Sequence, residues 1–197
     1  MGRIIPFSDL KKYLANLKKA DAPRGTILDT NVLISSSYEP SPDSEDVSKV
    51  LDILGDEGYR LFATVNTRSE YLEFQRRLIL TEALFDSIDE FSELKIATRV
   101  RAKIQTLKGS LKTSVSSDPD RLEVFNEVQL KKIKREFSAG PHSGQKSWLE
   151  ICDAYLKNQI AFADQDLFDR GVEYISPNDP LQAKLFDKNI DWPDAIN

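Results

Sequence analysis

The chain has 197 residues, of which 40% are hydrophobic and 30% charged, and its formal net charge is −5. This length suits one well-buried domain with an insertion, so we treat residues 1–197 as a single domain. A single cysteine, Cys152, excludes an internal disulfide framework and disfavours a thiolate metal site. No apolar stretch is long enough to cross a membrane, and the first residues do not form a signal peptide. We therefore expect a cytoplasmic protein with no membrane partner.

The first half of the chain predicts alternating strands and helices. The predicted elements are, in chain order, a helix over 8–19, a strand at 26–28, a loop over 35–45, a helix from 44, a strand over 59–65 and a helix from 67 or 69. The order strand, helix, strand, helix is typical of a parallel sheet with helices packed on its faces.

The second half shows mainly helical patterning. Between about 81 and 137 the pattern is only helical, with breaks predicted near Gly109 and around 116–119. This is too much helix for one crossover, so we interpret it as an α-helical insertion in an α/β domain. The remaining predictions are a loop at 139–144, a short helix at 147–157, a weak strand at 160–163 and a last strand at 171–176.

Four acidic residues stand near predicted strand ends or helix starts, where parallel sheets bind their ligands. They are Asp29, Glu70, Asp153 and Asp164. Clustered carboxylates raise one another's pKa unless a cation offsets their repulsion. Mg²⁺ and Mn²⁺ prefer oxygen ligands, and they can activate water and hold phosphate oxygens. The pattern therefore indicates a Mg²⁺ or Mn²⁺ site.

Each acid also has an ordinary structural interpretation. Asp29 can belong to a turn or a helix cap, and Glu70 can complete a capping box with Thr67. Asp153 can face solvent on its helix, and Asp164 can belong to a solvated acidic loop. Spacing alone does not decide between these interpretations and a metal site.

Basic residues are concentrated in the predicted insertion. No acidic residue occurs between Lys95 and Lys112, and a second basic group spans 131–135. Separate acidic and basic regions are typical of a metal site with its own polyanion-binding surface. Solvated helix faces would give the same pattern.

The segment TILDTNVLI at 26–34 resembles the opening signature of the PIN-domain family. In that signature a hydrophobic strand delivers an aspartate, followed by a small polar residue and Asn or Ser. The segments 63–70, 149–155 and 163–168 are similar to the second, third and fourth motifs of the family. The resemblance implies a PIN-like parallel sheet flanked by helices, with the α-helical insertion inside it.

The resemblance also implies residue roles. Carried over by position, the catalytic and metal-binding acids are Asp29, Glu70, Asp153 and Asp164. Asn31 would support the site. Phe162 stands where the family carries Ser or Thr, so Asp166 competes with Asp164 for the fourth position.

The implied activity is that of an endoribonuclease that uses Mg²⁺ or Mn²⁺ to hydrolyse RNA phosphodiester bonds. Such proteins are often toxins of toxin–antitoxin pairs, so the resemblance implies RNA as substrate, with an antitoxin and a second copy of the chain as partners. The RNA-backbone contacts would fall to Arg99, Arg101, Lys103, Lys108, Lys131 and Lys132.

Two other functions fit parts of the sequence. A phosphotransferase of the haloacid-dehalogenase type also begins with a strand and an aspartate, but it needs a second aspartate where Asn31 stands. A PIN-like domain that has lost metal binding, and serves as an RNA- or protein-binding module, fits the short interval between Asp153 and Asp164 and the large insertion. An Asp29→Asn change separates the nuclease from the binding module, because a nuclease loses activity and a binding module keeps its affinity.

Overall fold

The computed structural model describes residues 5–19, 24–89, 95–114, 124–138 and 144–175, without the side chains at 19 and 112–114. The chain divides into two compact units. The first comprises Met1–Tyr71 and Leu167–Asn197, and the second is Leu72–Asp166. The predicted insertion at 81–137 belongs to the second unit. No helix in the described ranges is long and apolar enough to span a membrane.

The described elements follow one another in a mixed α/β order that begins with a short 3-10 helix at Phe7–Asp9. In chain order they are α1 (Leu10–Lys19), β1 (Gly25–Ile27), α2 (Thr30–Ser37), α3 (Ser44–Asp56), β2 (Arg60–Ala63), α4 (Val65–Ile88), α5 (Thr98–Ser114), α6 (Glu127–Ser138), α7 (Trp148–Asp169) and β3 (Val172–Tyr174).

Three short parallel strands form the sheet of the first unit, in the order β1-β2-β3. Thr26 is in register with Leu61, which is in register with Val172 on its other side. Parallel pairing places the carboxyl ends of all three strands at one edge, where α2 follows β1 and α4 follows β2. The predicted α/β class with a parallel sheet is confirmed.

A small apolar cluster packs α1 against α3 in the first unit. Leu14, Leu54 and Tyr59 are buried together, which explains why the helices predicted over 8–19 and from Ser44 both form. The Tyr59 hydroxyl has no hydrogen-bond partner within the described ranges, and its burial raises the pKa of this phenol.

The second unit has a larger core, built from α4, α5, α6 and α7. Its buried members are Leu80, Leu84, Ile96, Val100, Ile104, Phe125, Leu130, Ile133, Phe137 and Ile151. Phe85 meets Phe125 edge to face at 5.2 Å, and Trp148 meets Phe137 at 5.6 Å between ring centroids. Phe85 and Trp148 are therefore packing residues.

The strand predicted at 160–163 is wrong, because α7 runs without interruption from Trp148 to Asp169. A short apolar run fits either a strand or a buried helix, and neither Gly nor Pro separates this one from its helical flanks. The chain turns only at Gly171, whose φ of 77° lies in the left-handed region.

Two other boundaries also differ from the prediction. The predicted loop over 35–45 begins too early, because α2 includes its last three serines. The hydroxyls of Ser36 and Ser37 donate to the carbonyl of Leu33, which satisfies them inside the helix. The break predicted near Gly109 is also wrong, because α5 continues through it. The predictions for 116–119 and 139–143 lie outside the described residues.

Two glycine substitutions should change stability in opposite directions. Gly109 lies inside α5, where an added methyl group would meet open space, so Gly109→Ala should stabilise folding by up to about 1 kcal/mol. Gly171→Ala should destabilise folding by about 1–2 kcal/mol, because its backbone is left-handed. Urea denaturation followed by circular dichroism measures both. Equal effects of the two changes would contradict this account of where α7 ends.

Candidate metal centre

Asp29 is the N-cap of α2. Its backbone is extended, with φ −77° and ψ 159°, and its Oδ1 accepts a hydrogen bond from the Thr30 backbone N–H at 2.8 Å. An extended residue with a side-chain acceptor is what a helix start requires. The ordinary interpretation of Asp29 is therefore correct in part. The side chain is exposed, and its second oxygen accepts no hydrogen bond from any described residue.

The position at which α4 begins excludes a capping box between Thr67 and Glu70. The helix begins at Val65, and the Thr64 hydroxyl before it accepts from the Thr67 backbone N–H at 3.0 Å. Thr64 therefore occupies the capping position, and the predicted capping box between Thr67 and Glu70 is wrong. Glu70 lies in the second helical turn, one turn later than the sequence predicts.

Glu70 is instead bound to the start of α2. The Thr30 hydroxyl donates a hydrogen bond to Glu70 Oε2 at 2.5 Å, across 40 positions of sequence. Thr30 thus contacts Asp29 through its backbone N–H and Glu70 through its side chain. The structure therefore brings together the acids of the first two motifs, at the carboxyl edge of the sheet. Asn31 follows, exposed in the first turn of α2.

Thr30 is a residue of the candidate site that the sequence did not single out. It stands at the variable position between Asp29 and Asn31, where the motif requires only a small polar residue. No local spacing links it to Glu70, because the contact depends on the pairing of β1 with β2. Only the fold reveals that its hydroxyl orients a second carboxylate.

Within the described ranges, the charges of Asp29 and Glu70 are not neutralised by a basic side chain. Neither carboxylate forms an ion pair with a Lys or Arg of the described ranges, and both are exposed. The N-terminus of α2 carries a partial positive charge that offsets part of the repulsion. The remaining negative charge makes this edge of the sheet a suitable place for a cation.

The donor set fits Mg²⁺ or Mn²⁺ as a partial ligand set. Mg²⁺ is commonly held by one or two carboxylates, with water and substrate phosphate completing its coordination. Asp29 and Glu70 supply such a pair, with oxygen donors only. In the part of the chain that the structure describes, no group of three or more His, Cys, Asp or Glu side chains is placed to hold a metal ion.

Asp153 and Asp164 both lie on α7, in the second unit. They are eleven residues apart, which corresponds to about 16 Å along a helix. Ions in two-metal sites are about 3.5–4 Å apart, with Mg–oxygen distances near 2.0–2.1 Å. Asp153 and Asp164 are therefore too far apart to bind the same ion or the same pair of ions.

Asp164 also does not follow a strand, because the strand predicted before it is helical. Asp166 is two residues further along the same helix, which turns it about 200° around the helix axis. Asp164 and Asp166 therefore lie on nearly opposite sides of α7. Only one of them can face a given ligand.

Three of the predicted RNA-contact residues on α5 make contacts inside the second unit. Arg99 Nε donates to the Glu136 carbonyl at 3.1 Å, and Arg101 Nη1 donates to the Ile88 carbonyl at 3.1 Å. These carbonyls lie in the last turns of α6 and α4, where cations stabilise helix ends. The Lys108 ammonium lies 4.2 Å from the centroid of the Phe85 ring. These residues therefore have structural roles.

The other three predicted RNA-contact residues are oriented differently. Lys103 is half-buried on α5, whereas Lys131 and Lys132 are exposed on α6. Lys131 makes a long ion pair with Glu127 at 3.9 Å. Arg99 is also exposed, but it holds a main-chain carbonyl, so the two lysines of α6 are the exposed members of the predicted set with no such contact in the described ranges.

No family model matches this chain, and neither a curated protein nor a solved structure matches it. The PIN-domain resemblance therefore rests on the motifs in the sequence.

Two substitutions of Asp29 should separate its capping role from its charge. Asp29→Ala should destabilise folding by about 1 kcal/mol, because the Thr30 N–H loses its acceptor. Asp29→Asn should leave stability nearly unchanged, because Asn caps helices about as well as Asp. Urea denaturation of the two variants beside the wild-type protein measures the difference. A loss in Asp29→Asn as large as in Asp29→Ala would mean that capping is not the important contact.

Proposed function

We propose that the protein is a Mg²⁺- or Mn²⁺-dependent endoribonuclease of PIN type, with Asp29 and Glu70 at its metal site. The observation that carries the proposal is the hydrogen bond from Thr30 to Glu70, which joins the acids of the first two motifs. Both carboxylates are exposed and lack basic partners in the described ranges. Glu70 caps no helix, and its one hydrogen bond within the described ranges leaves its second oxygen available to a ligand.

The residues at the carboxyl edge of the sheet would have different roles in binding the metal ion and the RNA phosphate. Asp29 and Glu70 would hold the metal ion, which when bound supplies Lewis acidity and lowers the pKa of a coordinated water. Thr30 fixes one oxygen of Glu70, so that the other oxygen keeps a defined direction. The partial positive charge at the N-terminus of α2 favours a phosphate oxygen near the same place. Asn31 adds an exposed amide on the first helical turn.

The third and fourth motifs contribute less than the resemblance implies. Asp153, Asp164 and Asp166 cannot all bind one ion, because their positions on α7 exclude one another. The proposed site is therefore one with few protein ligands, in which water and the RNA phosphate complete the coordination of the metal.

The wider role of the protein is proposed from the same resemblance. A toxin of a toxin–antitoxin pair would have an antitoxin partner, a homodimeric assembly and a cytoplasmic location. A small neighbouring gene for a DNA-binding antitoxin would support this role.

A metal-free RNA- or protein-binding module is the second candidate. Two observations favour it: no group of three ligands occurs in the described residues, and Asp29 has a structural reason to be retained as a helix cap. Glu70 separates the two candidates, because its only described hydrogen bond is the one from Thr30. A binding module should therefore tolerate Glu70→Gln.

The nuclease proposal predicts metal-dependent cleavage of RNA that requires both acids. A panel of single-stranded and structured RNAs should be cut with Mg²⁺ or Mn²⁺ and not with EDTA. Asp29→Asn and Glu70→Gln should each lower the rate by at least about 100-fold, because the metal loses a ligand. Asp52→Asn, an exposed acid on α3, is the matched control and should cut normally. Intact RNA binding without cleavage by the wild-type protein would sink the proposal.

The helix geometry predicts that the acids of α7 are not equivalent. Thermal stabilisation by Mn²⁺ reports metal binding without any reaction. It should be weakened in no more than one of the variants Asp153→Asn, Asp164→Asn and Asp166→Asn. Strong weakening in both Asp153→Asn and Asp164→Asn would mean that the two acids share an ion, contrary to their separation along α7.

A further inference from the structure

The outer face of α6 carries a compact basic patch. The helix buries Leu130, Ile133 and Phe137 in the core of the second unit. Lys131, Lys132 and Arg135 are exposed, and helical geometry places them on the side opposite this buried stripe. We call these three residues the α6 basic face.

The positive charge of this face is largely uncompensated. Of its three cations, only Lys131 forms an ion pair within the described ranges, at 3.9 Å from Glu127. The other oxygen of Glu127 is bound by Arg76 at 2.5 Å, and Arg76 also pairs with Glu73. Glu127 can therefore offset at most one of the three positive charges. The α6 basic face therefore presents a net positive charge on a protein whose formal net charge is −5.

The neighbouring helix does not offer a comparable surface. On α5, Arg99 and Arg101 bind main-chain carbonyls, and Lys108 packs on an aromatic ring. Helical geometry also divides these cations between two sides of the buried stripe formed by Val100 and Ile104. Their charges are therefore dispersed, whereas those of α6 lie together.

We infer that the α6 basic face binds the phosphate backbone of RNA. Exposed Lys and Arg side chains on a helix surface make such contacts without reading sequence. An anionic membrane is the other polyanion to consider, but a helix that lies in a membrane surface needs a broad exposed apolar face. The apolar side of α6 is buried, and Val128 is its one large hydrophobic residue with high exposure. The inference takes RNA as the ligand from the proposed function, but it does not require metal binding or cleavage.

RNA binding in EDTA tests this inference separately from catalysis. Fluorescence anisotropy with a mixed-sequence single-stranded RNA should be measured across KCl concentrations. The test variant is Lys131→Gln/Lys132→Gln/Arg135→Gln. The control is Lys11→Gln/Lys12→Gln/Lys157→Gln, which removes three exposed positive charges elsewhere and gives the same net charge. Circular dichroism checks that both variants are folded.

The test variant should lose affinity while the control keeps it. If three phosphate contacts disappear, the salt slope should fall by about 2 and the affinity at 0.1 M KCl by about 100-fold. Equal losses in both variants, or no loss in the test variant, would overturn the inference. Binding of the wild-type protein to phosphatidylserine vesicles but not to RNA would also overturn it, in favour of a membrane surface. RNA binding that depends on this face, without metal-dependent cleavage, would support it while refuting the nuclease.

Discussion

The parallel pairing of three short strands is the constraint on which the candidate site depends. Each described strand has only three or four residues, and β2 lies between β1 and β3. Parallel strands end at the same edge, so the helices that follow β1 and β2 begin beside one another. The hydrogen bond from the Leu28 N–H to the Phe62 carbonyl at 2.8 Å extends this pairing toward the site. Asp29 and Glu70 meet because of that register, not because of their spacing in sequence.

The candidate acids therefore differ in how firmly the structure positions them. Asp29 and Glu70 are both fixed by contacts with Thr30, whose backbone N–H donates to Asp29 and whose hydroxyl donates to Glu70. Asp153 and Asp164 lie on one long helix, α7, which keeps the two acids apart along its axis. Under the proposed function, a metal bound at the sheet edge would therefore depend mainly on two side chains and on the phosphate of the RNA. Such sites bind Mg²⁺ weakly until phosphate is present.

The sequence was most informative where local patterns carry the structure. The buried β2 strand, the amphipathic helices and the start of α3 at Ser44 follow from apolar spacing and end signals. It failed at 160–163, where four apolar residues fit two periodicities, and at Ser35–Ser37, where serine hydroxyls are satisfied inside a helix. The contact between Thr30 and Glu70 could not be predicted, because it depends on strand register. The division of basic residues on α5 was equally hidden, since it depends on which helix face is buried.

The capping role of Asp29 has a consequence for how this chain can change over generations. Asparagine and serine cap helices well, and neither carries the negative charge of aspartate. A lineage could therefore replace Asp29 without unfolding the protein, and it would lose any metal-dependent activity in one step. The basic face of α6 belongs to the other compact unit and would survive such a change. If the proposed function is correct, a change in one codon could thus give a descendant that binds RNA without cutting it.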